Sequence, residues 1–158
     1  MALVKGTNSY VTVAEADTYF GDRLNASVWD LADDTTKAQA LITATRLLDD
    51  MSWSGTAISE SQALSFPRSG SYFDPKVGSV ISFGSSTPSR VSTANYELAL
   101  HLMSNEDATS AGGSVKSIKV GDISLDNINQ VSTFPYAIKK IINPLLDNGG
   151  SNMWWRAN

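Results

Sequence analysis

The sequence predicts a mainly α protein: a small helical bundle of about four helices, with a long irregular insert, a β-hairpin and an extended C-terminal tail. Three observations carry that prediction. Apolar residues recur at helical spacing in four segments. No period survives between Ser52 and Ser86, where Gly, Ser and Pro collect. An apolar run from Val115 to Leu125 is broken by a Gly-Asp pair. A chain of 158 residues suits one domain with a core large enough to fold unaided.

The first helix is announced by "TVAEADTYFGDRL". Thr12 followed three residues later by Glu15 is a capping box, with Val11 and Ala16 placed as a hydrophobic staple. The helix is expected from about Val13 to Leu24, with Val13, Ala16, Phe20 and Leu24 on one face. In "DDTTKAQALITATRLLDDM", Ala38, Leu41, Ile42, Thr45 and Leu48 share a face of a helix expected from about Thr35 to Met51. Asp33, Asp34 and Thr36 are its candidate caps. A third helix is expected to end near Asn105, with Thr87 as cap, Pro88 at the first helical position and Val91, Ala94, Leu98 and Leu102 inside. In the last, Ile138, Ile141, Ile142 and Leu145 line one face, and Pro144 kinks or ends it.

The hairpin is placed at 115–126, around Gly121-Asp122. The insert is placed at 52–86, within which Val80 to Phe83 has strand character. A connection of that length in a compact domain is usually functional. Residues 1–148 form the expected domain, and 149–158 a tail.

Net charge is −4, which argues against broad attraction to phosphates, although a small basic patch can sit within an acidic total. Cysteine is absent, which excludes disulfides and thiolate metal sites. No apolar run is long enough to span a bilayer and the N-terminus has no signal-like segment, so a soluble, non-secreted chain without membrane partners is expected.

No constellation for chemistry emerges. His101 is the single histidine, set in a helix between Leu100 and Leu102, and no nucleophile-elbow sequence accompanies it. Asp30, Asp33 and Asp34 read as acids facing a helix dipole rather than as metal ligands. Asp49, Asp50 and Glu60 read as solvated acids, and Gly112-Gly113 lacks the Lys-Ser/Thr of a phosphate loop. No catalytic residue, metal or cofactor is expected. For nucleic acid, the candidate contacts are Arg68, Lys116, Lys119, Lys139 and Lys140, with Phe66, Tyr72 and Phe73 as a stacking platform. The competing reading makes these ordinary surface lysines and core aromatics.

The order "NSYVTVAEADTYF", "ALITATRLLDDMSWSG", "QALSFPRSG", "ANYELALHLM", "VKSIKVGDISLD" and "PLLDNGG" resembles a tailed-bacteriophage family. Its members are often labelled DnaT-like single-stranded-DNA-binding proteins, and by genome context and fold are similar to head–tail connector (adaptor, head-completion) proteins. The resemblance covers Asn8 to about Gly150. The family usually has Trp where Phe66 stands, and "MWWRAN" is outside the match. What the resemblance implies is a structural virion protein at the head–tail junction, made in the host cytoplasm. It would form a ring beneath the portal, with twelve copies expected from portal symmetry. Its partners would be other copies, the portal, tail, nozzle or tail-terminator proteins, and duplex DNA passing through without sequence-specific contact. The alternative is a single-stranded-DNA-binding protein of phage replication.

In the connector reading, Phe66, Pro67, Arg68, Tyr72 and Phe73 are candidates for the contact between subunits, because aromatics and Arg dominate interface energies. The competing reading has Phe66 filling the subunit's own core and Arg68 paired with a nearby acid. Met153, Trp154, Trp155 and Arg156, beyond the Gly149-Gly150 tether, are candidates for docking on the portal.

Overall fold

The computed structural model describes residues 2–105, 117–120, 123–126 and 133–147. Among the described residues five α-helices carry most of the order: α1 (Val13–Gly21), α2 (Ser27–Asp30), α3 (Asp34–Asp49), α4 (Ser89–Ser104) and α5 (Tyr136–Ile142). Six short strands join them: β1 (Thr56–Ala57), β2 (Arg68–Ser69), β3 (Ser71–Asp74), β4 (Ser79–Ser82), β5 (Ser117–Val120) and β6 (Ile123–Asp126). They pair as three separate two-stranded antiparallel ribbons, β1 with β2, β3 with β4 and β5 with β6. The fold is therefore a small mixed domain and not the four-helix bundle the sequence predicts. Two features overturn that expectation: the insert is organised as two ribbons, and a helix too short to show a period lies between the first two.

Local chemistry fixes the helix starts. Thr12 Oγ1 accepts from the Glu15 amide at 3.2 Å, while Glu15 Oε2 accepts from the Thr12 amide at 2.8 Å, which completes the capping box of α1. Asp33 caps α3 by accepting from the Thr36 amide at 2.8 Å. At α4 the expectation fails in detail. Pro88 itself occupies the cap position and no side chain caps the helix, so Thr87 does not serve. The end of α1 also departs from expectation. The helix stops at Gly21, and Leu24 lies 87% exposed instead of on the inner face.

The helices meet in one core. Leu41, Ala44 and Leu48 of α3 face Val91, Ala94 and Leu98 of α4, with Ile138 and Ile142 of α5 on the far side. A polar pair fixes the α3–α4 register: Asn95 Nδ2 donates to Thr45 Oγ1 at 2.7 Å, and Thr45 Oγ1 donates to the Leu41 carbonyl at 2.9 Å. Between α1 and α3, the single turn α2 presents Trp29, 1% exposed, to Phe20 at a ring separation of 4.7 Å. Asp17 Oδ1 accepts from Trp29 Nε1 at 2.8 Å and from Lys37 Nζ at 2.9 Å. Lys37 also sits 5.4 Å from the Trp29 ring centroid.

The chain after α5 returns to the segment that leaves α3. A 3-10 turn, Asn143–Leu145, buries Leu145. The Ser54 amide donates to the Leu145 carbonyl at 2.9 Å, and the Asp147 amide to the Ser52 carbonyl at 2.8 Å, so Trp53 and Leu146 pair as an antiparallel bridge. Gly55 follows with φ +74°, where a Cβ would lie 2.2 Å from the Ser69 carbonyl oxygen. Only glycine lets β1 approach β2 there.

Candidate nucleic-acid interface

The short helix α5 starts behind Pro135, whose ring pre-sets the backbone for a helix entry, and its rotation is fixed by Ile138 and Ile142. With those two inside, Tyr136, Lys139, Lys140 and Asn143 come to the outer face at i, i+3, i+4 and i+7, and all four are exposed. Tyr136 is 80% exposed, an unusual position for a large ring with no packing role.

Two shallow depressions flank this helix on the β3–β4 side. One runs past Pro75, Lys140 and Asn143, the other past Lys76 and Val77, and Arg90 and Ile141 line both. Arg90 Nη2 donates to Asp74 Oδ1 at 2.8 Å and Nη1 to the Ile141 carbonyl at 3.4 Å. The Lys76 amide donates to the same Asp74 oxygen at 2.8 Å. The Arg90 guanidinium, helped by that amide, holds the Asp74 carboxyl below the usual carboxylate range. Arg90 on α4 thus ties β3, through Asp74, to α5, through the Ile141 carbonyl.

The cations divide sharply. Among the described residues, Lys5, Arg23, Lys37 and Arg90 each pair with a carboxylate, namely Glu15, Glu97, Asp17 and Asp74. Arg68 is taken up by backbone carbonyls. Arg46 on α3, Lys76, Lys139 and Lys140 have no carboxylate partner there, and the three lysines lie on α5 or at the β3–β4 turn beside it. Three lysines without a carboxylate partner among the described residues thus gather next to an exposed tyrosine.

Residues 2–157 match the family model described as "Putative DnaT-like ssDNA binding protein". The chain belongs to this DnaT-like family. Comparison with curated proteins and with solved structures gave no match.

The structure redistributes the residues singled out in this DnaT-like sequence. Phe66 is 3% exposed, with its ring edge-on to Trp53 at 5.0 Å, Phe83 at 5.8 Å and Tyr10 at 6.2 Å, so it belongs to the core and is not an exposed contact. The Phe66–Pro67 peptide bond is cis, and Pro67 is half-buried. Among the described residues Arg68 pairs with no acid. It donates to the carbonyls of Ser54 (2.8 Å), Gly55 (2.6 Å), Trp53 (3.2 Å) and Ser65 (3.4 Å), which locks the corner against the end of α3. Phe66 is thus buried in the subunit's own core, and Arg68, half-buried, spends its donors on backbone carbonyls.

Tyr72 is half-buried against Phe83 at 5.1 Å, while Phe73 is 57% exposed. Phe73 stands opposite Val80, itself 68% exposed, on the outer face of the β3–β4 ribbon. The stacking platform of Phe66, Tyr72 and Phe73 is therefore split, and only Phe73 faces outward.

Lys119 lies on β5 opposite Ser124. Lys116 and the tail residues Met153, Trp154, Trp155 and Arg156 lie outside the described residues. His101 lines a depression with Glu97 and Ser104. Glu97 Oε1 and Oε2 accept from Arg23 at 2.7 Å each, Oε1 also accepts from the Tyr19 hydroxyl at 2.6 Å, and the Ser104 hydroxyl donates to the Leu100 carbonyl at 2.8 Å. Burial, reinforced by Glu97, pushes the Tyr19 hydroxyl up to about 12.

The residues that sequence reasoning missed are Tyr136, Asn143, Lys76 and Arg90. Tyr136 and Asn143 had a usable signal, since they fall on the stripe of Lys139 and Lys140 opposite the isoleucines. The pairing of Arg90 with Asp74 had none, because it joins a helix to a ribbon across an intervening loop.

Proposed function

We propose that the chain binds single-stranded DNA along the outer face of α5. The observation that carries this reading is the stripe of Tyr136, Lys139, Lys140 and Asn143, in which two cations without a carboxylate partner among the described residues lie beside an exposed ring. Backbone phosphates attract lysines without sequence preference, and a base stacks on a tyrosine face whatever its identity. The DnaT-like family description supports the same reading. Lys76 adds a further cation beside the adjoining depression.

The test is a salt titration of labelled oligothymidylate by fluorescence anisotropy. The slope of log affinity against log salt should become shallower by about 1.4 in Lys139→Ala/Lys140→Ala, two phosphate contacts at roughly 0.7 each. Tyr136→Ala should weaken binding by about 1–3 kcal/mol with the slope unchanged. Affinity that ignores salt, or that survives all three substitutions, would sink the proposal.

A second reading, the head–tail connector, is favoured by Phe73 and Val80, which expose apolar surface side by side on a ribbon outside the core. In that reading copies form a ring under a portal, carry the DNA channel onward and offer the tail its attachment surface. Electron microscopy of the chain mixed with the portal of its own virus would add a collar of density. A chain cut after Asn148 would leave the portal bare if Trp154 and Trp155 dock there. No collar with either chain would end this reading.

A further inference from the structure

The depression between α5 and the β3–β4 turn is mostly carbon. Pro75 lines it from the turn, Ala137, Lys140 and Ile141 from α5, and Asn143 and Pro144 from the 3-10 turn. Two proline rings, an alanine, an isoleucine and a lysine stem offer little for water to bind. Ile141 is the odd member of its helix, half-buried here while Ile138 and Ile142 are fully inside. The volume of about 590 Å³ falls within the roughly 300–1,000 Å³ of clefts that take a compact apolar group.

The chain leaves the described fold beside this depression. β3 packs on the 3-10 turn, and the bond from the Asp147 amide to the Ser52 carbonyl pins the backbone three residues after Pro144. Next in sequence come Asn148, Gly149, Gly150, Ser151 and Asn152, residue types that reverse a chain, and then Met153, Trp154 and Trp155. The seven steps from Asp147 to Trp154 span at most roughly 25 Å when fully extended. Two indoles on so short a tether meet a nearby apolar surface at an effective concentration in the millimolar range. We infer that residues 148–152 turn the chain back and that the Trp154–Trp155 pair seats in this depression, against Ile141 and between Pro75 and Pro144. The Lys140 ammonium at the same place suits an aromatic face. The contact needs no DNA and does not rest on the DNA-binding reading. It does share Lys140 with it, so a seated tail screens one cation of the α5 stripe.

Two fluorescence measurements on the full chain test the inference. A chain without cysteine accepts a label at one chosen position. Bimane, which tryptophan quenches at contact distance, is attached to Lys140→Cys beside the depression, and as a control to Gln39→Cys, exposed on α3 and not part of that lining. Adding Trp154→Leu/Trp155→Leu should brighten the label at 140 by about twofold or more when the seated form holds most of the population, and leave the label at 39 unchanged. The gain should not vary as the chain is diluted. The second measurement is acrylamide quenching of the unlabelled chain. Trp29 and Trp53 are 1% and 5% exposed, so the change in quenchable emission reports Trp154 and Trp155. Ala137→Glu puts a charge in the depression at an exposed position, where the core is untouched, and should raise the quenching.

A label at 140 that stays equally dim or bright without the two tryptophans would overturn the seat. Equal brightening at 140 and 39 would do the same, because it marks tryptophans that touch the surface indiscriminately. Quenching that Ala137→Glu leaves unchanged would place the indoles elsewhere. A gain at 140 that fades on dilution would assign the depression to the tail of a second copy, and would overturn the chain's own tail as its occupant.

Discussion

Phe66→Ala lowers the unfolding free energy by roughly 3–5 kcal/mol in a urea titration followed by circular dichroism, a large share of the 5–15 kcal/mol that holds a domain of this kind together. The ring is the hub of an aromatic cluster. Trp53, Tyr10 and Phe83 meet it edge-on, and those neighbours belong to three separate stretches of chain. Truncation leaves a cavity that cannot collapse easily. Trp53 is tied through Nε1 to the Leu48 carbonyl at 2.9 Å, and the Tyr10 hydroxyl is tied to Asp49. Phe73→Ala provides the contrast. Its ring lies in water, so the same truncation should change stability by no more than about 0.5 kcal/mol. Equal losses from the two substitutions would refute the assignment of Phe66 to the core.

Trp29→Ala is expected to cost about 3–5 kcal/mol by the same measurement, because one indole fills the gap between α1, α3 and α4. Trp29→Phe keeps most of that volume and isolates the polar part. It removes the N–H that Asp17 accepts, a loss of about 1 kcal/mol at neutral pH. Burial tends to raise the Asp17 carboxyl, but the Lys37 ammonium and the Trp29 N–H outweigh it and hold the group below the usual range. A carboxyl depressed in the folded state stabilises above its ordinary value near roughly 4, and that contribution is lost as pH falls through the depressed one. The gap between the natural chain and Trp29→Phe should therefore narrow on acidification below about pH 4. A gap independent of pH would show that the indole N–H does not act through the ionised carboxylate.

The parts of this fold that were legible in the sequence are those governed by neighbours in the chain. The caps at Thr12 and Asp33 need only residues three positions apart, and the inward stripes of α3 and α4 need only a period. The insert was illegible for the opposite reason. The two-residue strand β1 pairs with β2 across a loop, held by Arg68 reaching carbonyls and by a glycine approach, none of which leaves a periodic trace. In β3 (SYFD) and β4 (SVIS) apolar residues fall on both faces, and Phe73 and Val80 are exposed, so no polar–apolar alternation marks either strand. A single helical turn such as α2 cannot display a period at all, so nothing around Trp29 in the sequence marks it as core. At the site, Lys139 and Lys140 were visible as cations. Their lack of carboxylate partners was not, because it depends on where Glu15, Asp17, Asp74 and Glu97 find their own partners.

The ladder that joins residues 52–54 to residues 145–147 also sets the order in which the molecule can be completed. Trp53 emerges early in synthesis, yet its backbone partner is Leu146, and the core positions Ile138, Ile142 and Leu145 belong to almost the last part of the described chain. Until that segment appears, α3 and α4 can pair but one flank of their packing stays open, with the apolar side of α4 exposed. Sequence-distant closure of this kind slows folding and leaves a sticky intermediate on a growing chain. A ribosome that stalls before Pro135 therefore releases a product that lacks the third wall of its own interior.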